Sequence, residues 1–226
     1  MLPGSSMPKA VCALLLLAHS LTWAQVHPIS GRAYAGVMSA DGAGWLTRPE
    51  REEEEHPDQA LHDIGIAKGS TVADIGAGSG AITWRLAKLV GPTGTVYAND
   101  IQPKMLELLR QNMAQRKINN VETVLGASAD PKLPADSLDL ALLIDVYHEF
   151  WHPQEMLRHI RQALKADGRL VLLEYRAEDP AVPIRAEHKM TVAQVKAELE
   201  PEGFRLDKTI ETLPEQHILI FRKVAR

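Results

Sequence analysis

Between residues 71 and 222, short apolar runs alternate with segments of helical periodicity, and this alternation constrains the fold more than any other feature of the chain. The spacing predicts strands at 71–75, 94–98, 121–125, 138–144 and 169–174. It predicts helices at 82–90, 104–116, 153–164 and 192–199, the second with Met105, Leu108, Leu109 and Met113 on one side. Strand–helix–strand units of this kind lay their strands parallel and cover both sheet faces with the crossover helices. Two final strands, 205–211 and 217–222, are joined by a short turn containing Leu213-Pro214-Glu215. That turn is too short for a crossover helix, so these strands must pair antiparallel.

The chain divides into three stretches: a signal peptide at 1–24, a flexible leader at 25–44 and one domain at 45–226. Lys9 is followed by an apolar run at 10–18 and then by Leu21-Thr22-Trp23-Ala24, with small residues where a signal peptidase cuts. The run is too short to span a bilayer comfortably. An exported protein, periplasmic or secreted, is expected, with no stable membrane insertion after cleavage. Residues 25–44 are rich in Gly, Ala and Ser and read as a loosely packed arm. A helix is predicted from Pro49 through the acidic run 52–55 to Ala60, Leu61 and Ile64. The only cysteine, Cys12, lies in the signal, so the mature domain has no disulfide or thiolate chemistry. The net charge of −4 argues against a nucleic-acid partner, which would call for a basic face.

The sharpest motif is Asp74-Ile75-Gly76-Ala77-Gly78-Ser79-Gly80, which follows a strand and opens a helix. Glycines there permit unusual dihedrals and let a ligand approach the backbone. Asp100 ends the next strand, 20 residues after Gly80, where a carboxylate can accept hydrogen bonds from both hydroxyls of a ribose. Gly76-x-Gly78-x-x-Ala81 also fits a loose dinucleotide fingerprint. Two details favour a methyl donor instead. Asp74 stands where it can meet the amino end of a methionine moiety, and the chain ends in an antiparallel pair rather than a second nucleotide-binding half.

Residues 70–175 resemble the class I S-adenosylmethionine-dependent methyltransferases, nearest to the ubiquinone/menaquinone-biosynthesis type. The resemblance rests on 72–80, on Val96-Tyr97-Ala98-Asn99-Asp100-Ile101, on Leu133-Pro134-Ala135-Asp136-Ser137-Leu138-Asp139 and on 156–174. It implies a Rossmann-like, seven-stranded, mostly parallel α/β sheet with an antiparallel last strand and helices on both faces. It implies S-adenosyl-L-methionine as cofactor. Asp74, Gly76, Gly78 and Gly80 would line its methionine part, Asp100 would hold the ribose and Ile101 would pack on adenine. Ala127 stands where the family often has an Asp for the adenine amino group, so Asp130 is the expected replacement.

After the fourth strand comes Asp145-Val146-Tyr147-His148-Glu149-Phe150-Trp151-His152-Pro153, at the carboxyl edge of the sheet, where open α/β folds bind ligands. Asp145 is expected to border both cofactor and acceptor. Asp145 or His148 is the candidate proton acceptor, and Tyr147, Phe150 and Trp151 would wall the acceptor pocket. His188, in the 185–191 cluster, is expected to face the acceptor, with Arg48, Glu52 and His56 as more remote candidates. His148-Glu149-x-x-His152 also matches a zinc-peptidase pattern, which needs both histidines on one continuous helix. Pro153 disfavours helical geometry at His152, so no metal is expected there. The function expected is methyl transfer to a small, partly apolar acceptor. The alternatives are a noncatalytic S-adenosylmethionine-binding protein and, behind it, the zinc peptidase.

Overall fold

The computed structural model describes residues 26–224, so the signal peptide expected at 1–24 lies outside the described residues. Eight strands form one sheet: β1 (Thr71–Ile75), β2 (Thr95–Asp100), β3 (Val121–Leu125), β4 (Leu138–Ile144), β5 (Leu164–Arg176), β6 (Lys189–Met190), β7 (Phe204–Ile210) and β8 (Gln216–Lys223). The order is β3-β2-β1-β4-β5-β8-β7, with the two-residue β6 beside β5. The first five strands pair in parallel, while β8 runs antiparallel to both β5 and β7. The seven strands expected, including the antiparallel end, are observed in the main path of the sheet; the two-residue β6 is an eighth strand that was not expected.

Because successive strand residues point to opposite faces, the sheet builds two cores. Ile75, Leu143, Leu172 and Leu219 face one; Val72, Leu142, Val171 and Ile220 face the other. The first is closed by α5 (Pro153–Ala163) and α6 (Val192–Leu199), through Leu157, Ile160, Val195 and Leu199. The second is closed by α2 (Pro57–Ile64) and α3 (Thr83–Val90), through Leu61, Ile64, Leu86 and Val90. Between β2 and β3, α4 (Pro103–Gln115) sets Leu109 and Met113 against Ala98. Among the described residues, no helix is long and apolar enough to cross a membrane.

Three local expectations are corrected. The helix expected from Pro49 to Ile64 is two helices, α1 (Arg51–Glu55) and α2, broken at His56, whose φ is +47°. Pro57 enforces the break: a residue before proline is pushed out of the right-handed helical region, and Pro57 then starts α2. The fifth strand, expected at 169–174, starts earlier, at Leu164, and takes in Asp167 and Gly168. There the β4 register shifts between Leu138 and Leu140, and a Cβ on Gly168 would stand 2.7 Å from the Leu138 carbonyl. Finally, the leader is not loosely packed in its described part: His27, Arg32 and Ala35 are buried.

What holds the leader is a polar cluster around Glu198 of α6. Arg32 donates from Nε to Oε1 at 2.8 Å and from Nη2 to Oε2 at 3.1 Å. Ser30 and Tyr147 donate their hydroxyls to the same carboxylate at 2.5 and 2.9 Å. Arg32 Nη1 reaches the His148 carbonyl at 2.9 Å, which ties the segment to the loop after β4. A buried charge with this many partners avoids the desolvation penalty of an unpaired one.

Candidate active site

The carboxyl ends of β1, β2, β4 and β5 open into a cavity of about 560 Å³. It lies beside the junction of β1 and β4, where the chain switches direction across the sheet and ligands of open α/β folds collect. The size is that of a small-molecule site. One end is built from the glycine loop and β2, the other from the segment after β4, and residues 36–38 of the packed leader complete a wall.

At the first end, Gly76 and Gly78 line the cavity with φ of +75° and +53°. A Cβ on Gly76 would stand 2.2 Å from Val146 Cγ2, so only glycine lets β1 turn there. Asp100 Oδ2 accepts the Gly78 N–H at 2.9 Å and Oδ1 accepts the Gln102 N–H at 2.8 Å. Burial raises the Asp100 carboxyl from its ordinary value despite these backbone bonds. Asp100 lines the cavity beside Ile101, which is 39% exposed. A carboxylate acceptor, a glycine cradle and an apolar flank fit a ribose with its attached base and methionine chain.

Other residues expected near the cofactor stand elsewhere. Asp74 is not on the cavity wall: it is buried beneath the loop, and its Oδ2 accepts the Thr83 hydroxyl at 2.6 Å. Burial lifts its carboxyl to about 6. Gly80 and Ser79 line a separate cavity of about 420 Å³ behind the loop, with Trp84, Arg85 and Arg116. Asp130 is also off the wall. It pairs with Ala127 in a one-residue bridge, and its Oδ1 accepts the Lys132 N–H at 2.7 Å, which turns the carboxylate from the cavity. Ser128 takes the place on the wall expected for it.

At the second end, Asp145 sits at the tip of β4 with φ of +53°, a left-handed conformation that side chains rarely adopt and that recurs at functional sites. Gln216 Nε2 lies 2.8 Å from both of its oxygens. Burial and then the Glu55 and Glu174 carboxylates push Asp145 up to about 8. His148 is buried between two partners: Nδ1 lies 2.6 Å from Glu174 Oε2 and Nε2 lies 3.1 Å from His188 Nδ1. Burial alone would lower its pKa, but Glu174 outweighs this and raises it. Glu149 lines the same wall, lifted by burial to about 7.

Trp151 and His188 line the cavity as expected, Trp151 stacked on Tyr34 of the leader at 6.0 Å between ring centroids. Tyr147 does not: its ring is fully buried and its hydroxyl bonds Glu198, so it belongs to the core. Of the remote candidates, Arg48 lines the cavity, Glu52 lines the smaller one and His56 lines neither. His152 stands at the residue before α5, so the two histidines of the peptidase pattern do not share a helix. Sequence reasoning missed Glu55, Glu174 and Tyr175, which reach this end from α1 and β5; Tyr175 donates its hydroxyl to Glu55 at 3.2 Å. Glu174 and Tyr175 carried a signal in retrospect: polar groups at the carboxyl end of an otherwise apolar strand.

The methyltransferase-domain family matches residues 66–215. The ubiquinone/menaquinone biosynthesis C-methyltransferase UbiE of Ectopseudomonas mendocina is 31% identical over 123 residues, 54% of this chain and 47% of that protein. UbiE of Pseudomonas savastanoi pv. phaseolicola is 32% identical over 117 residues, 51% of this chain and 46% of the relative. The chain thus spans about half the length of the curated relatives it matches. Among solved structures, a SAM-dependent methyltransferase from Aquifex aeolicus superposes with a TM-score of 0.77 at 24% identity, over 82% of this chain and 98% of the other. The [4+2]-cyclase SpnF superposes with a TM-score of 0.62 at 15% identity, over 76% and 81%. The matched span contains the glycine loop, Asp100 and the segment after β4: the chain belongs to the methyltransferase-domain family, has the fold of an S-adenosylmethionine-dependent methyltransferase, and over about half its length is similar to UbiE.

Proposed function

We propose that this protein transfers a methyl group from S-adenosylmethionine to a small, partly apolar acceptor, and that it does so outside the cytoplasm. The observation that carries the reading is the two-ended cavity. A ribose-holding carboxylate and glycine cradle occupy one end; aromatic and titratable side chains occupy the other. Bound S-adenosylmethionine supplies an electrophilic methyl carbon on a positively charged sulfur. Asp100 and the backbone at Gly76 and Gly78 would hold the donor at the end of the cavity opposite the segment after β4.

The acceptor's lone pair must then be placed in line with that carbon, and positioning of this kind supplies much of the rate. Phe150 and Trp151 give the acceptor apolar walls. Asp145, clamped by Gln216, and His148, clamped by Glu174, are the groups beside which an acceptor proton would be released. His188, bonded to His148, closes the far side. The packed leader adds Met38 and stacks Tyr34 on Trp151, so it forms part of the acceptor wall.

The test is direct. Calorimetry with S-adenosylhomocysteine should give micromolar-range binding, about −8 kcal/mol. Incubation with methyl-labelled S-adenosylmethionine and a panel of small phenols, quinols and amines should then label at least one acceptor. Tighter binding of NAD than of S-adenosylhomocysteine would refute the donor assignment.

A further inference from the structure

We propose that His148, Glu149 and His188 form a site for a divalent first-row transition ion, zinc foremost, at the acceptor end of the cavity. One ligand atom from each of the three residues lies within 4.8 Å of the other two. Only His148 and Glu149 come from the peptidase-like pattern. The second imidazole is His188, brought in from the stretch before β6, and not His152.

The orientation of His148 is fixed from behind. The Glu174 carboxylate is fully buried and accepts the Tyr147 N–H at 3.0 Å through its other oxygen. An ionised carboxylate only accepts hydrogen bonds, so His148 Nδ1 carries the hydrogen and Nε2 presents a lone pair. A carboxylate behind a histidine in this way is the usual support of a metal-binding imidazole, setting its tautomer and raising its basicity. The Nε2 lone pair does not meet a wall; it meets His188 Nδ1 at 3.1 Å, with the two rings at 79° to each other. Two nitrogens each about 2.05 Å from one ion stand about 2.9 Å apart at a right angle and about 3.4 Å at a tetrahedral angle. The observed separation falls between these limits. Glu149 supplies the anionic oxygen, and imidazoles with one carboxylate suit zinc and its neighbours better than magnesium or calcium.

Three protein ligands with an open face toward a cavity are the arrangement of metal sites that also hold a substrate. The open face would take an oxygen or nitrogen of the acceptor. That last point rests on the acceptor reading given above; the ligand set itself does not. One contact competes with the ion. Arg185 Nη2 lies 3.0 Å from His188 Nε2 and can only donate, which puts the His188 hydrogen on Nδ1 and makes the two histidines a hydrogen-bonded pair. Metal binding needs the other tautomer, so Arg185 must swing away. Its side chain is 74% exposed and also pairs with Glu187, so it can do so at small cost.

The experiment uses the full chain purified without a histidine tag, stripped with chelator and titrated with zinc chloride by calorimetry. Cobalt(II) d–d absorption gives an independent report of coordination number. One equivalent of zinc is expected to bind, with His188→Ala and Glu149→Gln each weakening it at least tenfold. Glu174→Gln, which keeps the shape and removes the supporting charge, is expected to cost about 10–100-fold. S-adenosylhomocysteine binding is measured on the stripped wild-type chain in parallel. If that binding is intact and no saturable zinc uptake occurs, the pair is a hydrogen-bonded relay and the metal site is wrong. Zinc uptake at wild-type affinity by His188→Ala also overturns it. Zinc binding with the expected variant losses but no S-adenosylhomocysteine binding would uphold the metal site and remove the methyl-transfer reading instead.

Discussion

Arg32 of the amino-terminal segment and Glu198 of α6 form a bidentate ion pair with both side chains buried, 166 residues apart in sequence. Removing Arg32 leaves Glu198 buried with the Ser30 and Tyr147 hydroxyls but without its charged partner, and breaking a buried pair in this way costs about 3–5 kcal/mol. Arg32→Ala is therefore expected to lower the unfolding free energy from urea titration by that amount. It should also weaken the acceptor end, because the same guanidinium holds the His148 carbonyl. An unchanged urea midpoint would show that the segment is not docked in solution.

Asp100 is expected to dominate donor affinity. Asp100→Ala removes the ribose acceptor and also frees the Gly78 and Gln102 amides that the carboxylate now organises. A loss of at least tenfold in S-adenosylhomocysteine affinity, about 1.4 kcal/mol, should appear by calorimetry. Asp100→Asn, which keeps one acceptor oxygen, should lose less.

Gly76→Ala tests the turn that carries β1 into the loop. The new Cβ would collide with Val146 at a φ of +75° that alanine resists. Overpacking of this kind costs about 1–3 kcal/mol, read as a lowered melting temperature together with lost cofactor binding. A variant that keeps both would mean the loop tolerates another path.

Asp74 gives a pH signature in the ligand-free protein. Its carboxyl is raised from 3.8 to about 6, chiefly by burial, with the Thr83 bond and Arg51 opposing. A folded-state pKa above the unfolded one means that the protonated form is the stabilising one. Its contribution is complete below about 4 and is lost as pH rises toward about 6, each tenfold difference in proton affinity between the two states being worth about 1.4 kcal/mol. Asp74→Asn carries no such charge. The stability of the variant relative to wild type should therefore grow between pH 4 and pH 6.5 and level off above it. Urea denaturation across that range decides the matter; a difference that does not change with pH would sink the assignment.

The processing site is open to a simple measurement. Residues 9–24 carry the features of a secretory signal, and amino-terminal sequencing of the protein from its native host should begin at Gln25. Recovery of Met1 on a cytoplasmic protein would contradict the proposal.

Most of the sheet was legible because each strand is fixed by its own alternation or by a short apolar run. The 71–75, 121–125 and 138–144 strands have the bounds expected of them. The tight turn of the glycine loop was legible for the same reason, since it demands glycines at fixed spacing, and Asp100 stands beside it at the end of β2, bonded to the Gly78 N–H. What escaped reading depends on partners far along the chain. Tyr147 looked like a pocket wall until Glu198, 51 residues later, drew its hydroxyl into the core. Asp130 looked like an adenine contact, but a local bridge and the Lys132 amide turn it away. Glu174 looked like the end of an apolar strand, and only the loop after β4 gives it His148. The leader's Gly, Ala and Ser content concealed Arg32, whose burial depends on α6.

The clasp between residue 32 and α6 also orders events during folding. Contacts this distant in sequence close most of the chain into one loop, and such contacts form late because loop-closure entropy precedes any gain from them. The parallel strands β1 to β4 can assemble while the amino-terminal segment is still free. The far wall of the cavity, resting on Arg32, Tyr34 and the loop after β4, must wait until α6 has emerged and docked. A partly made or truncated chain would thus hold the glycine loop and Asp100 before it held a closed far wall, and the last part of the molecule to become rigid is the part proposed to receive the acceptor.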